Sequence, residues 1–403
     1  FNTAKFRRSG QRIRNLGFFK PGKVVMKKVE GSAPDKAIID VTVEEQRTGQ
    51  FNIGAGFSST QGIISQFLVS ERNLLGKGQE LRAKLTLGAE VQDFDVRFTE
   101  PYLFDRNLSA GFDIFQTFRQ TRNVAFDEDT RGLRLRTGFE YNEELRQSFD
   151  YTLRSVEVSD VDDTASLFVK EAEGRTLTSA LGQSLTFDVR DSRVDPTEGY
   201  IVQLSNDLAG FGGDTRYLRT RLSGTTYYAL GGNWIARLSA RFGYIFGIGE
   251  DVRIDDRFLL GGDTLRGFAT GGVGPRARNL TTRALSDALG GNRFYSATAE
   301  LGIPLGLAKE FNLKGFLFTD VGSLGDVDGA QTRVDPGPDG SPGTPDDELL
   351  TILDDESIRL SVGAGLGIVI PVFGPVRADL AVPLLKEDFD ETEIFRFRFG
   401  ARF

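Results

Sequence analysis

The chain has 403 residues, 57 acidic and 49 basic side chains for a net charge of -8, 48 glycines, 33 phenylalanines, and neither cysteine nor histidine. Without Cys or His there is no Ser-His-Asp triad, no thiolate nucleophile and no usual zinc site, and no G-x-S-x-G elbow occurs, so the sequence reads as a non-enzyme with no cofactor and no metal. The acidic balance gives no reason to expect nucleic acid, and mean hydropathy is -0.24 with no run near the roughly 18 apolar residues of a spanning helix, which leaves a closed β-barrel as the way to cross a membrane.

Residues 1–46 differ in character from the rest of the chain. Phe6, Ile13 and Leu16 fall on one helical stripe, Gly17 is placed to stop the helix, and Lys5, Arg7, Arg8, Arg12 and Arg14 occupy other positions. Two short strands are expected at about 23–30 and 37–45, joined by a turn at Gly31–Asp35. Helix, strand, strand is too small to hold a core by itself and resembles the back half of a small α+β module. Residues 1–28 carry nine Lys or Arg and no apolar stretch of signal-peptide length, so the chain is expected to be a mature or trimmed fragment, or not to be exported.

From Gln50 onward the pattern becomes strands of about 8 to 15 residues separated by Gly, Asp, Asn and Pro clusters. The expected spans are 50–57, 62–71, 78–88, 91–99, 106–117, 131–142, 146–159, 175–189, 200–209, 214–229, 233–247, 292–303, 311–321, 356–369, 374–383 and 394–403, with no helical stretch between them. Alternation is plain in Leu81-Arg82-Ala83-Lys84-Leu85 and in Leu133-Arg134-Leu135-Arg136. Arg or Lys facing lipid near the midplane costs about 2–4 kcal/mol, so the charged face is assigned to the lumen, which sets the register. Connections are short at 73–78, 100–105 and 191–199 but long at 118–130, 160–174, 248–291 and 322–355, the asymmetry of outer-membrane barrels. The Asp- and Pro-rich stretch 334–347 matches no EF-hand spacing and reads as a solvated loop rather than a calcium site. Gly363, Gly365 and Gly367 read as small residues in a crowded or kinked strand, since no helix comes after them as a dinucleotide fingerprint requires.

The last ten residues alternate Phe395, Phe397, Phe399, Ala401 and Phe403 with Arg396, Arg398, Gly400 and Arg402. One face is aromatic and the other cationic, which a wall between lipid and a wet lumen satisfies and a protein core does not. The 44-residue connection 248–291, too long to be structureless, holds Leu265-Arg266-Gly267-Phe268. Gly267 permits a tight turn that presents Arg266, and an arginine delivered into a barrel needs acids; Glu300 and Asp320 are the inward candidates.

Leu265-Arg266-Gly267-Phe268 resembles the V/I-R-G-F/Y motif in the sixth outer loop of the BamA family of outer-membrane β-barrel assembly factors. The resemblance extends to the opening strand Phe51-Asn52-Ile53-Gly54-Ala55-Gly56-Phe57, the turn Asn73 to Gly78, Thr99 to Tyr102, Phe318 to Gly322 and the terminal strand. Leu265 departs from the usual Val or Ile. The resemblance implies a mainly β fold, a sixteen-stranded antiparallel transmembrane β-barrel over 47–403, preceded by a partial α+β POTRA module at 1–46 in the periplasm. It further implies that the sixth loop folds back inside so that Arg266 meets Glu300 and Asp320. The implied activity is insertion of client β-barrels into the bacterial outer membrane through a weak seam of first and last strands. Those strands contain Phe51, Asn52, Ile53, Gly54, Gly56 and Phe57, and Phe395, Phe397, Phe399, Gly400 and Phe403. The implied partners are unfolded outer-membrane proteins, accessory lipoproteins of the assembly complex and outer-membrane lipid. The competing expectation is a two-partner-secretion or TamA-like translocation barrel, because secretion transporters share the R-G-F/Y type of loop.

Overall fold

Each expected strand pairs with its neighbours in the chain, and the last pairs with the first, closing a sixteen-stranded antiparallel barrel. The computed structural model describes residues 3–32, 36–58, 62–120, 126–161, 165–280, 282–283, 285–306, 313–329, 332–335, 348–354, 356–370 and 374–400. The barrel strands are β1 (Gln50–Ser58), β2 (Gly62–Leu74), β3 (Gln79–Gly88), β4 (Val91–Glu100), β5 (Ser109–Gln120), β6 (Asp127–Glu140), β7 (Leu145–Ser159) and β8 (Gly174–Asp188). They continue as β9 (Gly199–Gly213), β10 (Tyr217–Gly231), β11 (Trp234–Gly247), β12 (Arg293–Pro304), β13 (Lys314–Gly325), β14 (Arg359–Ile370), β15 (Gly374–Leu385) and β16 (Phe395–Gly400).

The period-2 alternation sorts side chains as lipid and water require. Leu81, Leu133, Leu135, Leu181, Leu238 and Leu317 lie exposed on the outer wall, while the charged positions between them turn inward and pair. Asp113 on β5 is buried, accepts a 2.8 Å hydrogen bond from Arg136 Nε on β6 and lies 3.3 Å from Arg97 Nε on β4. A carboxylate shared by arginines from both flanking strands stitches the wall from inside, where each ion would otherwise carry a desolvation penalty.

The ladder is uneven. Among the described residues β7 and β8 share fourteen register positions, β1 and β2 nine, and β15 and β16 five. Among the described residues β16 meets β1 at three: Arg398 opposite Ser58, Phe399 opposite Phe57 and Gly400 opposite Gly56.

Before the barrel, a helix (Thr3–Asn15) precedes two antiparallel strands, Val25–Glu30 and Ala37–Thr42. It lies at the end of the barrel with the short turns, where Arg8 forms an ion pair with Glu143 in the β6–β7 turn. At this end the β8–β9 turn is held by Asp191, which accepts hydrogen bonds from Thr197 Oγ1 at 2.6 Å, Thr197 N at 2.9 Å and Glu198 N at 3.1 Å. The Thr197 hydroxyl, with those amides, lowers the Asp191 carboxyl to about 2. A depressed folded-state pKa gives stability that is present above the unfolded value near 4 and lost as pH falls through about 2. The Thr197 and Glu198 amides are therefore expected to keep slow hydrogen exchange at pH 4 and lose it only toward pH 2; an NMR titration midpoint for Asp191 near 4 would refute this.

Two expectations are corrected. The connection 118–130 shortens to 121–126, because the β5–β6 ladder continues to Gln120 opposite Asp127. Helix is not absent from the connections: Leu167–Lys170 forms one turn between β7 and β8. The long connections also hold regular structure, since Leu285–Ala288, Arg276–Asn279, Glu348–Leu353 and Thr332–Asp335 form a four-stranded sheet outside the wall ladder. At that end Phe126, Ala165, Val169, Ala277, Leu289, Val327 and Ile352 form one hydrophobic cluster from four different connections. Residues 336–347 of the Asp- and Pro-rich loop lie outside the described residues, as do Phe403, Ala401 and Arg402.

Candidate functional site: an arginine hairpin inside the barrel

The connection from β11 to β12, here loop 6, first runs along the wall. Asp256, almost fully buried, forms ion pairs with Arg154 on β7 and, at 2.8 Å, with Arg219 on β10. The chain then turns into the lumen, where Gly267–Phe268 pairs antiparallel with Thr392–Glu393, the two residues that lead into β16. Leu265 and Phe268 are fully buried in a cluster with Leu260, Val273 and Leu324. Gly267 has φ +92, the left-handed region that a larger side chain resists, and an added Cβ would sit 3.1 Å from that of Ser361 on β14.

This turn aims Arg266 at the wall. Its Nε and Nη2 donate to the two oxygens of Asp320 on β13 at 2.7 and 2.8 Å, a bidentate fork, and its backbone N–H adds a third bond to Asp320 at 3.1 Å. Nη1 donates to Glu300 on β12 at 2.7 Å. The guanidinium lies 3.4 Å above the centre of the Phe318 ring, and the Ser361 hydroxyl donates to the Arg266 carbonyl. All three charged groups are buried: Arg266 is 7% exposed, Glu300 6% and Asp320 1% by side chain. Room for this stack comes from β14, where a Cβ on Gly363 would meet the Phe318 ring at 2.3 Å and one on Gly365 would meet Asp379 at 2.1 Å. These glycines therefore stand in a crowded strand.

The network extends beyond the residues the sequence singles out. Glu300 also accepts from Arg377 Nη2 at 2.7 Å and lies 3.2 Å from Arg237. Arg377 holds Asp379 at 2.9 Å, and Asp379 lies 3.4 Å from Arg398 on β16. Asp263 in loop 6 lies 2.8 Å from Arg398 and 3.3 Å from Arg396. Arg237, Arg377 and Asp379 are ordinary inward positions of the alternation and carry no signal that separates them from other lumenal charges; Asp263 lies three residues ahead of Arg266, but its partners are on β16 and nothing local marks it.

At the seam, Phe51, Ile53, Phe57 and Phe395 face outward and exposed, Asn52 is half-buried, and Phe57 packs against Phe397 with ring centres 6.2 Å apart. Gly56 and Gly400 stand opposite each other. A Cβ on Gly56 would fall 2.5 Å from the Phe399 carbonyl oxygen, and one on Gly400, at φ +133, would fall 2.7 Å from Gly56 Cα. A cavity of about 840 Å³ opens on the lumenal side, lined by Gly54, Gly56, Asp263, Arg266, Arg398 and Gly400 among others.

A closed sixteen-stranded wall with an arginine hairpin held inside it defines a class of outer-membrane β-barrel. The Omp85 superfamily domain matches residues 73–403, and the chain belongs to that superfamily. It is 30% identical over 400 residues to the outer membrane protein assembly factor BamA of Neorickettsia risticii (strain Illinois), covering 98% of this chain and spanning about half, 50%, of that relative. Among solved structures, BamA from Haemophilus ducreyi lacking POTRA domains 1-3 superposes with a TM-score of 0.80 at 22% identity, over 99% of this chain and 78% of that one. CdiB from Acinetobacter baumannii superposes with a TM-score of 0.57 at 14% identity, over 97% and 66%, a likeness of fold alone.

Proposed function

We propose that this chain is the membrane-embedded part of a bacterial outer-membrane protein insertase, which folds and inserts client β-barrels by strand exchange at the β1–β16 seam. In this reading residues 1–46 are the end of a periplasmic POTRA module, 47–403 the barrel, unfolded outer-membrane proteins the clients, and accessory lipoproteins the partners of the assembled complex. Arg266 with Leu265, Gly267 and Phe268 holds loop 6 to Glu300 and Asp320 and braces the wall at β12 and β13.

The observation that supports the reading is the glycine pair at the seam: among the described residues β16 meets β1 at three positions, with Gly400 opposite Gly56, where no side chain packs. A ladder hydrogen bond contributes about 0.5–1.5 kcal/mol net, so the three described positions supply a few kcal/mol to the β1–β16 closure, at a glycine pair that adds no side-chain packing. Freed backbone groups facing hydrocarbon cost several kcal/mol each. Simple opening is therefore unfavourable, but opening that hands β1 a client strand in place of β16 replaces the lost bonds, which is strand addition at an exposed edge.

The chain has no native cysteine, so a tether is easily introduced. Phe57 and Phe399 are register partners, and directly opposed residues have Cα atoms about 4.5–5.5 Å apart, within disulfide range. Oxidising an F57C/F399C variant is expected to stop client insertion into lipid vesicles, with recovery on reduction. Insertion at the untethered rate under full crosslinking would sink the reading.

A further inference from the structure

Within residues 263–266 the hairpin of loop 6 grips the barrel by charge at two places. The first is Arg266 against β12 and β13. The second is Asp263, whose carboxylate sits between Arg398 at 2.8 Å and Arg396 at 3.3 Å, both on β16. The side chains of Arg396 and Arg398 are 7% and 28% exposed, so the final strand commits two cations to the lumen. Arg396 is also paired with Glu393, in the segment that forms the ladder with Gly267 and Phe268.

These contacts close a ring. From Arg266 it passes to Glu300, Arg377, Asp379 and Arg398, and returns through Asp263 to the same hairpin. Apart from Asp263 to Arg398 and the longer 3.4 Å approach of Arg398 to Asp379, the links run from the hairpin to β12, from β12 to β15, and within β15. The shortest charged contact that β16 makes across the lumen is therefore to a loop and not to the wall.

We propose that Asp263 is a positioning residue that latches β16 from inside: it holds the final strand in register with β1 through Arg396 and Arg398, so that seam opening requires the latch to release. At the three described ladder positions of this seam, where Gly400 faces Gly56 and no side chain packs, two charge-assisted contacts to one carboxylate weigh comparably with the backbone ladder. A client strand that displaces β16 has to break the Asp263 contacts, and the hairpin, fixed separately through Arg266, stays in place while β16 leaves. This inference rests on the strand-exchange proposal, but it makes a claim about the seam that is measured without any client.

The test uses F57C/F399C crosslinking in the full chain reconstituted into lipid vesicles, with insertion measured in parallel. Asp263→Asn is expected to lower crosslinking yield at a fixed time by threefold or more, and Asp263→Glu to restore it. Arg398→Gln is expected to match Asp263→Asn, and the double variant to be no worse than the poorer single one. Resistance of the unheated barrel to detergent serves as the folding control; Asp263 is 47% exposed by side chain, so Asp263→Asn leaves no buried group unpaired by its own removal. Unchanged crosslinking in Asp263→Asn overturns the latch, as does a loss that Asp263→Glu does not restore. A fall in crosslinking with unchanged client insertion upholds the latch and counts against strand exchange as the route of insertion.

Discussion

Replacing Asp320 by asparagine is expected to cost about 3–5 kcal/mol, the usual result of removing one member of a buried ion pair, and to loosen the loop 6 hairpin more than Glu300→Gln does. Arg266 makes three hydrogen bonds to Asp320 and one to Glu300. After Glu300→Gln the bidentate fork survives; after Asp320→Asn only the single bond to Glu300 retains full charge on both sides. Arg266→Lys is expected to fall with the severe variant, because an ammonium cannot span both Asp320 oxygens while staying over the Phe318 ring. The hairpin should loosen without leaving the lumen, since buried Leu265 and Phe268 contribute about 1.5–3 kcal/mol each. Thermal unfolding of the barrel and proteolysis within loop 6 measure the two effects. Equal losses for Asp320→Asn and Glu300→Gln would mean that the apolar anchors, not the fork, hold the hairpin.

The second large effect is expected at the glycine pair of the seam. Gly56→Val places a branched carbon where the Phe399 carbonyl oxygen lies 2.5 Å from an ideal Cβ, and neither backbone can yield without separating the strands. Overpacking and strain of this kind cost about 1–3 kcal/mol. That is small beside the whole barrel and comparable with the ladder bonds at the three described seam positions. Amide exchange at residues 56–58 should accelerate by about tenfold or more, at tenfold for each 1.4 kcal/mol, while the fourteen-position β7–β8 ladder keeps its protection. Equal acceleration in both ladders would show a general loss of stability and not a weak edge.

The wall was legible in the sequence because a barrel strand carries its own signal: a period of two, a penalty for charge in lipid and turn residues at the ends. Where that penalty vanishes, the signal does too. Arg119, Asp127, Glu128 and Asp129 read as loop residues, yet they lie in the β5–β6 ladder. Leu167–Lys170 is a single turn, too short for any periodicity. The four-stranded sheet outside the wall joins segments from two separate connections, each strand four to six residues long, and no local pattern announces such a pairing.

The site divides along the same line. Arg266 stood out because an arginine beside a glycine in an overlong loop demands a partner, and Glu300 and Asp320 are the inward acids of the next two strands, where the structure sets all three in contact. Arg237 and Arg377 were hidden because a lumen tolerates any charge, so their inward placement distinguishes nothing. Asp263 was hidden for a different reason: its partners lie 133 and more residues away, on a strand whose phenylalanines dominate the reading.

The cluster of Phe126, Ala165, Val169, Ala277, Leu289, Val327 and Ile352 belongs to four connections at once. Stripping any one of them from the cluster bares the apolar faces of the other three, so the roof of the barrel behaves as a single cooperative body. Protease would therefore meet these four connections as one target that becomes cleavable together, and not as separate loops that yield one by one.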